Sequence, residues 1–229
     1  MMIQAGATIF LADQRGVSQT DWFRSYHSFN FGAYQAENRE PFGNLRVFND
    51  DTLAAGKSLK MQVDENTDVI LLPLVGAIEY SNSLGDTGFL EAGQVQVFSA
   101  AQGMEYEITN PYSNELVNFL QIWVLGQKEQ FIPKTTQNSF DFQDKNQLLP
   151  CFYNLAYGMI GKFEGREEGT YQVQQPERNG VFIFVIQGAF EVQNRLLHPR
   201  DGLSLTHVTE VDFEALSNEA IVLILEVSL

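Results

Sequence analysis

The sequence predicts an all-β protein built from two barrels of similar layout, and two observations lead to this prediction. Short runs rich in Val, Ile, Phe and Tyr alternate with Gly, Asn and Asp, which are residues typical of turns. A segment of the first half, VILLPLVGAIEYSN, resembles a segment of the second half, VFIFVIQGAFEVQN. Long stretches with the 3.6-residue period of a helix are scarce, so little helix is expected.

The predicted strands follow one another along the chain with turn residues between them. Their sequences are GNLRVFND (43–50), DVILLPLVGAIEYSN (68–82), GQVQVFSA (93–100), LVNFLQIWVL (116–125), GVFIFVIQGAFEVQN (180–194) and AIVLILEVSL (220–229). The segment SNSLGDTG (81–88) is predicted to be a turn between two paired strands. One short helix is predicted near residues 144–157.

The internal similarity has a constant offset, since GAIE begins at Gly76 and GAFE begins at Gly188, 112 residues later. A chance similarity between two β-hairpins is one explanation, and a duplicated barrel is the other. The duplication predicts an N-terminal domain over residues 1–130 and a smaller C-terminal domain over 131–229. A polar joining stretch near residues 127–147 lies between them, mostly in the second domain.

Composition excludes several classes of function. The chain has 14 basic and 29 acidic residues, a formal charge of −15 that would repel a phosphate backbone, so direct nucleic-acid binding is not expected. The apolar runs are too short to cross a bilayer, and the start of the sequence has no basic region typical of a signal peptide. The single cysteine, Cys151, excludes an intramolecular disulfide and favours a reducing compartment. We therefore expect a soluble cytoplasmic protein in which Cys151 is a buried, inert thiol.

Five segments of the first 125 residues resemble the pirin family of cupin proteins. They are LADQRG (11–16), HSFNFGAY (27–34), FGNLRVFNDD (42–51), GQVQVFSAAQG (93–103) and LQIWV (120–124). The second half resembles, on weaker motifs, the small C-terminal cupin of bacterial members. Pirins are bicupins and include quercetin 2,3-dioxygenase-like proteins. The resemblance therefore implies two double-stranded β-helix barrels of the jelly-roll type.

The resemblance also identifies the place of the family's metal site. Pirins use a His-x-His pair, a Glu four residues later, and a second segment with a third His and a Glu. Three imidazoles and one carboxylate then hold an iron-like cation. The aligned positions are occupied here by Gln62, Asp64, Asp68, Tyr106 and Ile108. The resemblance thus implies that the ligands are replaced, so no metal ligands and no cofactor are expected.

These five residues are the predicted lining of a ligand pocket in the N-terminal barrel. Spacings of two and four residues predict that Gln62, Asp64 and Asp68 share one face of a strand. If Tyr106 points into the barrel, strand alternation turns Glu105 and Glu107 outward. The polar groups either fill the space of a lost metal or line an open pocket.

Other candidate residues have structural interpretations. The three histidines, His27, His198 and His207, have no metal-ligand spacing, and His27 is predicted to be packed or hydrogen-bonded. Positions in the second half at the same offset are Gln174, Pro176 and Gly180, which are no ligand set. Turns, strand ends and an ion pair are the predicted roles of Arg15, Arg46, Asp50 and Asp51. The predicted core strand residues are Phe119 and Trp123. Either pocket lining or core packing fits Phe29, Phe31, Phe48 and Phe98.

Three functions are compatible with this pattern. The first is a metal-free pirin-like bicupin that binds a small apolar or aromatic molecule, or a protein partner in a regulatory role. The second is a quercetin 2,3-dioxygenase-like oxygenase with an atypical metal site. The third is a metal-free acid–base enzyme that uses Asp64, Asp68 and Tyr106, since two nearby carboxyl groups raise one another's pKa.

Overall fold

A computed structural model describes residues 6–126 and 134–229, and over these residues the protein is almost entirely β-structure. The only helix in the described ranges is a three-residue 3₁₀ turn, Ala12–Gln14. Accordingly, the described chain contains no helix of the length and apolarity needed to span a membrane. The prediction of an all-β fold with little helix is confirmed.

The strands of the first part of the chain are β1 Gly6–Phe10, β2 Gly16–Gln19, β3 Phe23–His27, β4 Leu45–Leu53, β5 Ser58–Gln62, β6 Thr67–Val75, β7 Ala77–Asn82, β8 Thr87–Glu91, β9 Gln94–Ala100, β10 Glu105–Thr109, β11 Val117–Leu125 and β12 Thr135–Ser139. Those of the later part are β13 Gln147–Tyr153, β14 Tyr157–Phe163, β15 Glu168–Gln172, β16 Asn179–Gln187, β17 Phe190–Val192, β18 Arg195–Leu197, β19 Gly202–Thr206, β20 Glu210–Ala215 and β21 Ala220–Ser228.

The first compact unit, here called the N-terminal barrel, consists of the described parts of Gly16–Pro41 and Leu45–Ser139. A seven-stranded sheet of order β12-β9-β6-β11-β4-β3-β2 and a four-stranded sheet of order β5-β10-β7-β8 form it. Inward side chains of both sheets, such as Val69, Leu71, Ile78 and Phe119, make one apolar core. Along β4, β6 and β11, the core side chains are odd-numbered ones such as Val47, Val69 and Phe119, so this phase of each strand faces the barrel interior.

The second unit, here called the C-terminal barrel, consists of the described residues up to Arg15, Phe42–Asn44 and Phe140–Leu229. Its sheets have the orders β1-β19-β16-β21-β14-β13 and β15-β20-β17-β18. Its interior is apolar and aromatic, and the rings of Phe163, Phe190 and Phe213 pack edge-on at centroid distances of 5.1–6.1 Å. Two barrels, each made of two facing antiparallel sheets, are the predicted bicupin architecture.

The two barrels are interleaved in sequence. Strand β1 pairs with β19, with Gly6 opposite Thr206 and Phe10 opposite Gly202, and so completes a sheet of the C-terminal barrel. The sequence division at residue 130 did not anticipate this, because a five-residue strand carries no local signal of which distant edge it will join. Residues 127–133 of the predicted joining stretch lie outside the described residues. A later part of the same stretch forms β12, which pairs with β9 in the N-terminal barrel.

The internal similarity corresponds to equivalent structural positions. Gly76 follows the nine-residue strand β6 and has a φ of 77°, and Gly188 follows the nine-residue strand β16 and has a φ of 75°. This left-handed conformation favours glycine, which explains why both positions hold it. As predicted, the segment after Gly76 is a hairpin in which β7 pairs with β8.

The helix predicted near residues 144–157 is wrong, because β13 and the start of β14 occupy this region. Pro150 inside the segment would remove a helical hydrogen bond. It is tolerated in β13 because this strand is at the edge of its sheet, and the register shifts between Pro150 and Phe152. Cys151 is buried there, and burial raises the pKa of its thiol, which therefore stays neutral.

Candidate ligand pocket and buried polar chain

The N-terminal barrel contains a pocket of about 590 Å³. Its apolar wall includes Phe31 and Trp123, whose rings meet edge-to-face at a centroid distance of 5.8 Å. Polar groups at the pocket include Gln62, Asp64 and Arg46. A volume of this size accommodates a molecule with one or two rings.

Gln62 and Asp64 both line this pocket, and both are exposed. Gln62 donates a hydrogen bond from Nε2 to the backbone oxygen of Gly103 at 3.1 Å. The prediction that these residues and Asp68 share one strand face is wrong. Strand β5 ends at Gln62 and β6 begins at Thr67, so a polar turn breaks the alternation between them.

Asp68 lies apart from the pocket. It is buried and accepts a hydrogen bond from the Ser99 hydroxyl at 2.7 Å. Because it alternates along β6 with Val69 and Leu71, which lie in the barrel core, Asp68 points to the opposite face of the sheet. The structure therefore does not bring Asp68 together with Asp64 and Tyr106.

Tyr106 and Ile108 both point into the barrel core and are 2% and 0% exposed. Their neighbours Glu105 and Glu107 are turned outward, as predicted from strand alternation. Neither Tyr106 nor Ile108 lines the pocket, whereas Met61 and Trp123 both do. Tyr106, which the resemblance aligns with the family's third histidine, is thus a buried phenol.

The hydroxyl of Tyr106 belongs to a line of hydrogen bonds inside the barrel, here called the buried polar chain (Asp51, Gln121, Tyr106 and Trp123). Trp123 Nε1 donates to the Tyr106 hydroxyl oxygen at 2.8 Å. Tyr106 donates to Gln121 Oε1 in a short hydrogen bond, and Gln121 Nε2 donates to Asp51 Oδ2 at 3.0 Å. Each donor therefore points toward the carboxyl group of Asp51.

Burial controls the ionisation of this chain. Asp51 is completely buried, and loss of hydration raises its pKa from 3.8 to about 7. The charge of Asp50 raises it further, whereas Ser25 and Gln121 act in the opposite direction. Burial also raises the pKa of Tyr106 well above its ordinary value, so this phenol is neutral.

The predicted placement of Asp50 and Asp51 at turns or strand ends is wrong, since both lie inside β4. Alternation could have identified Asp51, because it has the same phase as Val47 and Leu53 in the segment LRVFNDDTL. Gln121, a polar residue within the apolar run VNFLQIWVL, was the second available signal. The predicted ion pair of Arg46 is present as an exposed contact of 3.9 Å with Glu65.

His27 extends the polar interior. Its Nδ1 hydrogen-bonds Asn49 Oδ1 at 2.8 Å and its Nε2 hydrogen-bonds the Ser18 hydroxyl at 2.8 Å. The ring is 1% exposed and lies 5.2 Å from the Phe31 ring centroid. His27 is therefore the packed and hydrogen-bonded residue that was predicted. His198 and His207 are exposed in the C-terminal barrel.

The phenylalanines divide between the two predicted roles. Phe29, Phe48 and Phe98 are 0–1% exposed, and none of them lines the pocket. Phe31 is the one of the four that contributes to the pocket wall. Phe119 and Trp123 are core strand residues of β11, as predicted, although Trp123 also reaches the pocket.

The C-terminal barrel has its own buried carboxylate, Glu226 on β21. It accepts hydrogen bonds from the Tyr171 hydroxyl at 2.6 Å and from Asn179 Nδ2 at 2.6 Å. The backbone nitrogens of Gln174 and Gln175 donate to it at 2.8 and 2.9 Å. Glu226 therefore stabilises the turn before β16 through hydrogen bonds to its backbone. The offset positions Gln174, Pro176 and Gly180 lie in or beside this turn.

The donor set at the aligned positions does not fit the family's metal. Gln62 and Asp64 are at the pocket, Tyr106 is committed to Gln121 and Trp123, and Ile108 has no donor atom. Within residues 6–126 and 134–229, no three His, Cys, Asp or Glu side chains are grouped closely enough to hold a metal ion.

Two family models match the chain. The pirin model matches residues 11–124, which covers most of the N-terminal barrel, and the quercetinase C-terminal cupin domain model matches residues 156–227. Quercetin 2,3-dioxygenase of Escherichia coli is 26% identical over 221 residues, covering 93% of this chain and 95% of the relative. A pirin-like protein of Caulobacter vibrioides is 26% identical over 227 residues, covering 93% and 96%.

Solved structures have the same fold. YhhW from Escherichia coli has a TM-score of 0.84 at 24% identity and covers 97% of both chains. The same bacterial pirin in complex with nickel(II) has a TM-score of 0.83 at 24% identity, covering 97% of this chain and 99% of that one. Both domains, their order and the fold therefore agree, and the chain belongs to the pirin family of bicupins.

Proposed function

We propose that this protein is a pirin-like bicupin that acts without the family's iron-like metal and binds a small molecule in the pocket of the N-terminal barrel. The observation that carries the proposal is the state of Tyr106. The family resemblance aligns Tyr106 with an imidazole ligand, and in this structure its hydroxyl donates to Gln121 and accepts from Trp123. A metal bound to this oxygen would have to displace at least the hydrogen bond that Tyr106 donates to Gln121.

The pocket favours a neutral ligand with an aromatic ring. Phe31 and Trp123 offer flat apolar surface, and Gln62 offers an amide for a ligand hydroxyl. Asp64 and Glu65 give the rim two negative charges against the single positive charge of Arg46. Together with the net charge of −15, this disfavours carboxylates and phosphates.

Metal content and ligand binding test the proposal together. Untagged protein, purified without chelators or a metal-affinity column, should contain well below one equivalent of iron, nickel, copper or manganese. A matched variant that carries Gln62→His, Asp64→His, Tyr106→His and Ile108→Glu restores the family's ligand types and should retain more metal. Stoichiometric metal in the natural sequence would contradict the proposal.

The main alternative is an oxygenase like the relatives named quercetin 2,3-dioxygenase. Oxygen uptake with quercetin, with the Escherichia coli relative as a positive control, should be absent for this protein before and after incubation with metal salts. Quercetin binding without oxygen uptake, lost in Trp123→Ala, would support a binding role. Metal-dependent turnover would replace the proposal by the oxygenase.

Two further roles remain as alternatives. An acid–base enzyme using Asp64, Asp68 and Tyr106 has little geometric support, because Asp68 faces away from the other two. A regulatory protein contact in the cytoplasm, the location predicted from the single cysteine, does not need the pocket. Trp123→Ala would leave such a contact intact, which distinguishes it from ligand binding.

A further inference from the structure

The inside of the N-terminal barrel holds a carboxyl group that no role described so far uses. Asp51 is 0% exposed, and its Oδ1 makes no hydrogen bond to any described residue. Ser25 lies directly opposite on β3 and its side chain favours the ionised form of Asp51, while its hydroxyl also contacts His27 Nδ1 at 3.3 Å. Oδ1 is therefore a place where a proton can reside.

The buried polar chain connects this carboxyl group to the pocket. All three of its hydrogen bonds run in one direction, from the Trp123 indole to Tyr106, then to Gln121, then to Asp51 Oδ2. Hydrogen bonds in such a series polarise one another, so a negative charge at the acceptor end strengthens every donor before it. A proton on Asp51 weakens the whole series.

The far end of the series is the aromatic wall of the pocket. The Trp123 ring lines the pocket and contacts Phe31 edge-to-face, and its Nε1 is held by Tyr106. Trp123 is 9% exposed, and the hydrogen bond to Tyr106 fixes the nitrogen side of its ring. The strength of the Tyr106 bond therefore affects how firmly this wall is held.

We propose that Asp51 is a positioning residue whose gain or loss of a proton is transmitted through Gln121 and Tyr106 to Trp123, so that the pocket wall responds to pH. This goes beyond the proposed binding function, since it concerns the protein without a ligand. It requires no metal and no residue at the rim of the pocket.

The other titratable groups near Asp51 are few and can be separated by mutation. On β3, His27 lies on the same inward face as Ser25. Arg24 and Tyr26 alternate with these two residues and point to the other face. Asp50 has the opposite phase on β4 and accepts a hydrogen bond from Asn118 Nδ2 at 2.7 Å. Tyr106 is the one titratable residue of β10 that faces inward, and the inward-facing Gln121 of β11 is uncharged.

Tryptophan fluorescence provides the test, because the chain has only two tryptophans. In a Trp22→Phe background, emission and acrylamide quenching report Trp123 alone. Titration of the ligand-free protein should show a reversible transition centred near pH 7, the value to which burial raises the pKa of Asp51. The transition should be absent in Asp51→Asn and present in His27→Gln.

A second variant covers the case that Asp51→Asn does not fold. Gln121→Met leaves the carboxyl group in place but cuts the series in the middle, and it should also abolish the transition. The inference is overturned if the parent protein shows no transition, if the transition persists in a folded Asp51→Asn or Gln121→Met protein, or if His27→Gln removes it. In the last case the imidazole is the titrating group. None of these results depends on metal content or ligand binding.

Discussion

The indole nitrogen of Trp123 donates a hydrogen bond of 2.8 Å to the hydroxyl oxygen of Tyr106 inside the N-terminal barrel. This contact joins the wall of the pocket to the phenol that the family resemblance aligns with a histidine. Since Tyr106 also donates to Gln121, the phenol uses both its donor and one acceptor position internally. The stability of the barrel should therefore depend on this hydroxyl.

Removal of the hydroxyl in Tyr106→Phe should destabilise the protein, because Gln121 Oε1 and Trp123 Nε1 lose their partner in a buried site. Each of the two unsatisfied groups costs about 1–3 kcal/mol, so the free energy of unfolding should fall by about 2–6 kcal/mol. Urea denaturation measures this. Tyr80→Phe is the matched control, since Tyr80 lies in the same core without a described hydrogen bond to its hydroxyl, and it should change little.

The fold and the site differed in how far local sequence could reveal them. The strand positions could be predicted from alternation, and the internal similarity from the segments around Gly76 and Gly188. Both signals are visible within a few neighbouring residues of the sequence. The grouping of Gln62, Asp64 and Asp68 failed because a turn between β5 and β6 resets the phase of alternation. Partners across the barrel, such as Asp51 with Gln121, are 70 residues apart and leave no local pattern.

The carboxyl group of Asp51 should impose a pH dependence on stability. Its pKa is raised from 3.8 to about 7 in the folded state, so the folded protein binds this proton more tightly than the unfolded chain. The resulting stabilisation is complete below about pH 4 and is lost as the pH rises to about 7. A difference of three pKa units corresponds to at most about 4 kcal/mol.

Comparison with Asp51→Asn isolates this contribution from the other acidic residues. The urea midpoint of Asp51→Asn minus that of the natural protein should increase as the pH rises from 4 to 7. Above pH 7 this difference should be constant. Asp13→Asn, at an exposed position, should show no such trend. A parallel pH dependence of the natural and Asp51→Asn proteins would argue against a raised pKa.

The two equivalent glycines should both resist substitution, but to different degrees. Gly76→Ala and Gly188→Ala each place a side chain at a positive φ, which costs about 1–2 kcal/mol. A Cβ at Gly188 would also lie 2.7 Å from the Ala220 Cβ, whereas at Gly76 the nearest atom is a Val117 methyl at 3.0 Å. Gly188→Ala should therefore lower the free energy of unfolding more.

Gly56→Ala separates the backbone effect from the steric effect. Gly56 has a φ of 65°, and no heavy atom lies within 4 Å of the place that an alanine Cβ would occupy, so only the conformational cost of about 1–2 kcal/mol applies. Thermal or urea unfolding of the three variants should give the order Gly188→Ala, then Gly76→Ala, then Gly56→Ala in loss of stability. Equal losses at all three positions would mean that the neighbours move at little cost.

The stability of the C-terminal barrel should depend on Glu226. Its carboxylate accepts four hydrogen bonds in a fully buried site, two of them from the backbone of Gln174 and Gln175. In Glu226→Gln an amide nitrogen replaces one carboxylate oxygen and faces donors instead of accepting from them. The free energy of unfolding should fall by about 2–4 kcal/mol, since buried donors are left unpaired.

Hydrogen exchange can locate this effect in the turn before β16. The amides of Gln174 and Gln175 should exchange faster in Glu226→Gln, because one of the two oxygens that accept from this turn is lost. Glu191→Gln changes an exposed carboxylate of the same barrel and should leave both the exchange and the urea midpoint unchanged. Unaltered protection of residues 174–175 in Glu226→Gln would show that the turn is held by its own backbone contacts and not by the buried carboxylate.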